Sequence, residues 1–84
     1  MKTYYITFRS VTFAQRAEKV LNAGEISCSL QRTPRWMEAQ GCGYALRIWT
    51  QEPETVIRLL KSSKIPMRRL YIQTAGGELE EQPL

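Results

Sequence analysis

Residues 4–24 have the sequence YYITFRSVTFAQRAEKVLNAG, and a change of hydrophobic period within this stretch decides the fold. The first five residues are aromatic or β-branched, which is typical of a strand. Apolar residues then recur at helical spacing, at Phe13, Ala17, Val20 and Leu21. Ser10 or Thr12 can cap this helix, and Gly24 is expected to adopt the left-handed conformation just past its end. The stretch therefore predicts a strand followed directly by an amphipathic helix.

The rest of the chain continues this alternation of strands and helices. Further strands are predicted at residues 26–30, 44–49 and 67–72, and Pro53 suits the first turn of a second helix. The order β-α-β-β-α-β predicts an α+β protein with the ferredoxin-like arrangement, a four-stranded antiparallel sheet with two helices on one face. We expect a single domain at residues 1–75 and a flexible acidic tail at residues 76–84.

The composition excludes several classes of functional site. The chain of 84 residues has no histidine and two cysteines. Without histidine, neither a Ser-His-Asp nor a Cys-His arrangement can activate a nucleophile. Two cysteines cannot complete a four-ligand zinc site. We therefore expect no metal and no cofactor, and a carrier or binding protein rather than an independent enzyme.

The charge of the chain favours anionic partners. The sequence has 12 basic and 8 acidic residues, which give a net charge of +4. Glu78, Glu80 and Glu81 lie near the C-terminus, so residues 1–77 carry 12 basic but only 5 acidic residues. A body this basic attracts phosphates, nucleic acid, acidic proteins, or anionic sulfur and selenium species.

The sequence contains no targeting or membrane-spanning pattern. Residues 1–9 have no long apolar stretch and no small-residue cleavage site. No run approaches the roughly 18 apolar residues that a transmembrane helix needs. We expect a cytoplasmic protein with no membrane partner, in which free thiols stay reduced.

Cys42 lies between two glycines, Gly41 and Gly43, at the entrance to the third predicted strand. Glycine lets a ligand or another backbone approach closely, and a turn of this kind can aim backbone N–H groups at an anion. With Arg35 or Arg47 nearby, such groups would favour the thiolate, which is the nucleophilic form. The alternative is that Cys42 fills space in a tight connection and is inert.

The sequence around Cys28 indicates a strand rather than a turn. It falls on the inward phase of the second predicted strand, together with Ile26 and Leu30, which favours a role in the core. The alternative is a resolving thiol that forms a reversible disulfide with Cys42. That disulfide requires the two Cα atoms to lie within about 7 Å of each other.

Two parts of the chain resemble the short bacterial proteins of the Se/S carrier-like family. The first runs from Tyr5 to Ser10 and continues into the helix with Ala14, Glu18 and Leu21, followed by Ala23-Gly24-Glu25-Ile26. The second is Pro34-Arg35, a short gap, and Cys42-Gly43-Tyr44-Ala45-Leu46-Arg47. The resemblance covers about residues 4–72. It implies that Cys42 is the carrier thiol, which accepts sulfur or selenium as a persulfide-type adduct, and that Arg35 and Arg47 match basic residues of the family.

Three functional hypotheses follow. In the first, Cys42 carries sulfur or selenium between a donor, such as a cysteine desulfurase or a selenium-pathway protein, and an acceptor. In the second, the chain is a binding module for RNA or an acidic protein, since aromatic residues lie on its predicted strands, at Tyr4, Tyr5, Tyr44, Trp49 and Tyr71. This second hypothesis is less favoured than the first, because the signature segments of the RNA-recognition motif are absent. In the third, Cys28 and Cys42 form a thiol–disulfide switch.

Overall fold

The computed structural model describes residues 2–33 and 43–84 of the chain. These residues form an antiparallel sheet and two helices, and the predicted α+β class is confirmed. The strands are β1 (Lys2–Thr7), β2 (Ser27–Arg32), β3 (Tyr44–Thr50), β4 (Arg69–Gln73) and β5 (Leu79–Gln82). The helices are α1 (Val11–Ala23) and α2 (Pro53–Ser62).

The sheet has one strand more than the sequence predicts. Its order is β2-β3-β1-β4-β5, so the expected four-stranded ferredoxin-like sheet is matched only in part. The additional strand comes from residues 76–84, which were expected to form a flexible tail, and it pairs with β4. A tight turn makes this return possible: the Gly77 amide donates to the Thr74 carbonyl at 2.9 Å, and Gly77 adopts a φ of 86°. A residue with a side chain is strained in that conformation, and this is why glycine suits the turn.

The core lies between the two helices and one face of the sheet. Strand residues at alternate positions supply one side of it, with Tyr4, Ile6, Leu46, Ile48 and Leu70 all buried. The helices supply the other side with Ala14, Ala17, Leu21, Val56 and Leu60. Because both helices contribute to this one cluster, both cover the same sheet face, as the sequence predicts.

Both helices end in the same backbone motif. After α1, the Ile26 amide donates to the Leu21 carbonyl at 2.9 Å and the Glu25 amide donates to the Asn22 carbonyl at 3.0 Å. This is the Schellman arrangement, which requires one residue in the left-handed conformation. The expectation that Gly24 would be that residue is wrong, since its φ is −87° and Glu25 has the positive value of 63°.

The second helix repeats this motif at its own end, where Lys64 has a φ of 59°. The Ile65 amide donates to the Leu60 carbonyl at 3.0 Å. At the start of α1, Ser10 is the capping residue of the two candidates, and its hydroxyl accepts a hydrogen bond from the Phe13 amide at 3.2 Å.

The strand directions bring three connections to one end of the sheet. β1 and β2 end there, while β3 and β4 begin there, because Arg32 pairs with Tyr44 and Thr7 pairs with both Ala45 and Arg69. The described residues of these connections are 8–10, Thr33 with Gly43, and 63–68. We call this end of the sheet the loop end, and the end that carries Lys2 and Thr50 the opposite end.

Candidate functional site

Three of the residues expected to form the site, Arg35, Gly41 and Cys42, lie outside the described residues. Gly43, the neighbour of Cys42, lies at the loop end immediately before β3. Its φ is 82°, and its carbonyl accepts a hydrogen bond from the Thr33 amide at 3.0 Å. Glycine adopts this left-handed conformation without strain, so the backbone itself accounts for the glycine after Cys42.

Arg47 lies in the middle of the sheet rather than beside Gly43. It faces away from the helices, opposite Tyr5 on β1 and Ser29 on β2. Its guanidinium carbon lies 4.9 Å from the centroid of the Trp49 ring, which is cation–π distance. Four residues along a strand separate Arg47 from Gly43, which corresponds to about 13 Å. The charge of Arg47 is therefore held towards Trp49 and away from the loop end.

Other cations do lie at the loop end, although they are far apart in the sequence. Arg9 follows β1, Arg32 ends β2, and Lys64 follows α2; the side chains of all three are exposed. Among the described residues, none of these three cations forms an ion pair. We call Arg9, Arg32 and Lys64 the basic end. Sequence reasoning missed Arg9 and Lys64 because only the strand register brings them to the same end as Gly43.

Neighbouring contacts hold this region in place. The Arg32 guanidinium lies 5.5 Å from the ring centroid of Tyr44, its partner across the strands. The Arg68 amide donates to the Thr7 carbonyl at 2.9 Å, which fixes the entry to β4. Arg69 differs from the basic end, since it pairs with Glu81 at 3.0 Å.

Most of the acidic residues that the structure describes lie at the opposite end. Glu25 precedes β2, Glu52 and Glu54 lie at the start of α2, and Glu78 precedes β5. The positive end of the α1 dipole and the negative end of the α2 dipole both lie at the loop end, so the two helix dipoles oppose each other there. Among the described residues, the positive character of the loop end therefore comes from its exposed cationic side chains. A positive field lowers the pKa of a thiol by favouring the thiolate.

Cys28 is a half-buried thiol on the helix-covered face of the sheet, as its strand phase predicts. Its Sγ donates to Asn22 Oδ1 at 3.5 Å and lies 3.9 Å from the Glu18 carbonyl oxygen. Burial, and secondly the negative charge of Glu18, raise the pKa of Cys28 from 9.0 to about 11. Cys28 is therefore protonated at neutral pH and is a poor nucleophile.

The strand register separates Cys28 from the loop end. Cys28 pairs with Ile48, whereas the residue that bonds to Gly43 is Thr33, five positions further along the chain. Five residues of strand span roughly 16 Å. Cys28 therefore lies far along the sheet from Gly43 and from the loop end. Cys42, the other partner of the predicted disulfide, lies outside the described residues.

The strand aromatics do not form a single surface. Tyr4 is buried in the core, and Tyr44 has the same strand phase as the core residues. Tyr71 lies on the face without helices but is buried there, while Tyr5 and Trp49 are half-buried on that face. The Arg47 guanidinium already lies over the Trp49 ring. The described residues therefore offer little free aromatic surface for stacking RNA bases.

No helix within residues 2–33 and 43–84 has the length and apolar character needed to cross a membrane. Comparison with known proteins gives one match: the family model described as "Putative Se/S carrier protein-like" matches residues 3–72. No curated protein and no solved structure matches the chain. The family match confirms the resemblance inferred from the sequence. It extends from β1 to β4 and leaves β5 outside.

Proposed function

Because the chain belongs to the Se/S carrier protein-like family, we propose that it is a small cytoplasmic carrier of sulfur or selenium, with Cys42 as the carrier thiol. The observation that supports this role is the electrostatic character of the loop end. Gly43, which follows Cys42 in the chain, lies at the end of the sheet to which the basic end also belongs. Such surroundings favour a thiolate near neutral pH.

The chemistry of loading is a thiol–disulfide type of displacement. The Cys42 thiolate attacks the outer sulfur of a persulfide on the donor protein. A bond forms between the two sulfur atoms, and the donor cysteine leaves with the electron pair as a thiolate. Cys42 then holds the persulfide. An acceptor nucleophile attacks its outer atom in turn and releases Cys42 as a thiolate. Selenium would be carried by the same displacement.

The proposed thiolate is suited to both halves of this cycle. A lowered pKa provides the nucleophile needed for loading, and the same low pKa makes Cys42 a better leaving group when the acceptor attacks. We assign Arg35 to the charge around the thiol because it matches the family pattern. Arg47, held over Trp49, would contribute only at a distance.

The alternative role for the second thiol is less well supported. The pKa of Cys28, raised to about 11, makes it a poor attacking group, and the paired strands keep it away from the loop end. We therefore propose that Cys28 is structural and that the carrier cycle uses one cysteine.

A loading experiment tests the proposal. The protein is incubated with a purified cysteine desulfurase and free cysteine, and the intact mass is measured without reductant. We expect a gain of one sulfur atom in the wild type and in Cys28→Ser, and no gain in Cys42→Ser. An adduct that persists in Cys42→Ser, or that maps to Cys28 by peptide sequencing, would contradict the assignment of Cys42.

A further inference from the structure

The charges of the described residues are separated along the strand direction. The basic end presents three exposed cations from three different connections or strand ends. Two described acidic side chains on neighbouring elements have other partners. Glu18 Oε2 accepts a hydrogen bond from the Leu30 amide at 3.2 Å, and Glu81 pairs with Arg69 at 3.0 Å. Within residues 2–33 and 43–84, no acidic side chain forms an ion pair with Arg9, Arg32 or Lys64.

We propose that the basic end is a docking surface for an acidic patch on the proteins that exchange sulfur or selenium with Cys42. The identity of these proteins as exchange partners rests on the proposed carrier function. The chemistry of the surface is independent of that function. The basic end has three exposed cations that form no ion pair with any other described residue, and such cations complement a negatively charged surface. Charges placed in this way steer the approach of a partner and orient it towards the loop end.

Judged by the residues that the structure describes, an acidic protein fits this surface better than nucleic acid does. Single-stranded nucleic acid gains much of its affinity from bases that stack on exposed aromatic rings, at about 1–3 kcal/mol per base. At the loop end, Tyr44 is already in contact with Arg32, at 5.5 Å. Tyr5 and Trp49 lie on the face of the sheet that has no helices, and Trp49 is covered by Arg47. An acidic peptide can bind through the cationic side chains alone and needs no aromatic surface.

The test compares two pairs of neutralising substitutions with equal effects on net charge. Arg9→Gln with Arg32→Gln removes two cations of the basic end. Lys2→Gln with Lys19→Gln removes two exposed cations elsewhere, from the opposite end of the sheet and from α1. All proteins carry Cys42→Ser, so the result is independent of thiol chemistry. The probes are a fluorescent oligoglutamate peptide and a fluorescent oligouridylate of equal length, and anisotropy gives their affinities at low and physiological salt.

We expect the oligoglutamate to bind at low salt, with an affinity about three- to tenfold lower in the Arg9/Arg32 pair and nearly unchanged in the Lys2/Lys19 pair. Equal losses in both pairs, or no binding at low salt, would overturn the proposal. Tighter binding of oligouridylate through Arg9 and Arg32 would also overturn it, because the occupant would then be nucleic acid. Failure of persulfide loading in the wild type would instead contradict the carrier function, and the two failures are distinguishable.

Discussion

The thiol of Cys28 has a raised pKa, and the two causes of this increase can be separated by mutation. Burial is the larger cause of its raised pKa, and the carboxylate of Glu18 is the smaller one. Glu18→Gln removes the second cause alone. We expect the pKa of Cys28 to fall below about 11 in this variant but to stay above 9.0, because burial remains.

The measurement is the pH dependence of Cys28 alkylation in a Cys42→Ser background, followed by mass spectrometry. Asn22→Ala is a useful companion, since it removes the hydrogen-bond acceptor of the thiol without changing charge. The assignment of causes would be wrong if the alkylation midpoint lay near 9.0 with Glu18 intact, or if Glu18→Gln left it unchanged.

The same pKa has a consequence for stability in alkaline solution. Since the thiol of Cys28 binds its proton more tightly in the folded state, its contribution to the free energy of unfolding is fully present below pH 9.0. That contribution is lost progressively as pH rises towards about 11. We expect the decline in the free energy of unfolding over this window to be steeper in the wild type than in Cys28→Ala, as measured by urea unfolding at several pH values. Parallel curves would contradict the expectation.

Glu25 occupies a backbone conformation that suits glycine. Its φ is 63°, which strains a residue with a side chain, and the Schellman motif after α1 fixes it there. We expect Glu25→Gly to raise the free energy of unfolding by about 0.5–1 kcal/mol, since the relief of strain exceeds the entropy cost of glycine. The control is Lys19→Gly in the middle of α1, which should lower it by about 1 kcal/mol. A lower stability in Glu25→Gly would contradict this argument.

At the scale of elements, β5 protects the edge of the sheet. It pairs with β4 over Leu70↔Gln82 to Gln73↔Leu79, so the backbone groups of β4 are satisfied on that side. Deleting residues 79–84 would expose the edge of β4, which carries two buried side chains, Leu70 and Tyr71. We expect the truncated protein to unfold at lower urea and to self-associate at concentrations where the full chain does not, as measured by sedimentation velocity.

The matched control keeps β5 and removes only its ion pair. Arg69 and Glu81 are both about half exposed, and Glu81→Gln should therefore change the free energy of unfolding by less than about 1 kcal/mol. If Glu81→Gln were as damaging as the deletion, the ion pair rather than the strand pairing would hold the edge. A truncated protein with unchanged stability would show that β5 contributes nothing to the sheet.

Local sequence patterns predict those elements whose signals are local. The strand at residues 4–8 and the helix after it follow from period and capping, and the structure has β1 and α1 there. β5 was not predicted because Glu78, Glu80 and Glu81 are typical of a solvated tail. The Gly76-Gly77 pair before Leu79 does, however, indicate a hairpin turn. Of the candidate site, Gly43 could be singled out from its neighbours in the chain. Arg9 and Lys64 could not, because no local pattern relates residues that only the strand register brings to one end.

At the scale of the whole molecule, the antiparallel topology separates positive and negative side chains towards opposite ends of the sheet. The net charge is +4, which alone implies little beyond solubility. The strand directions, however, bring the exposed cations of three connections or strand ends to the loop end, and leave Glu25, Glu52, Glu54 and Glu78 at the other. Reactions at the loop end should therefore be sensitive to the charge of the reagent.

Cys42 itself can report this field, because disulfide reagents of different charge attack thiols by the same displacement. In Cys28→Ser, we expect dithiobis(nitrobenzoate), a dianion, to react with Cys42 faster relative to neutral dithiodipyridine than it does with a free cysteine peptide. The ratio should fall as salt is raised, since the Debye length shortens to about 10 Å at 0.1 M and screens the exposed cations. Arg9→Gln with Arg32→Gln should lower the ratio at low salt, whereas Lys2→Gln with Lys19→Gln should change it little. A ratio that matched the peptide at every salt concentration would mean that the basic end does not reach the thiol, and that some other feature would have to activate Cys42.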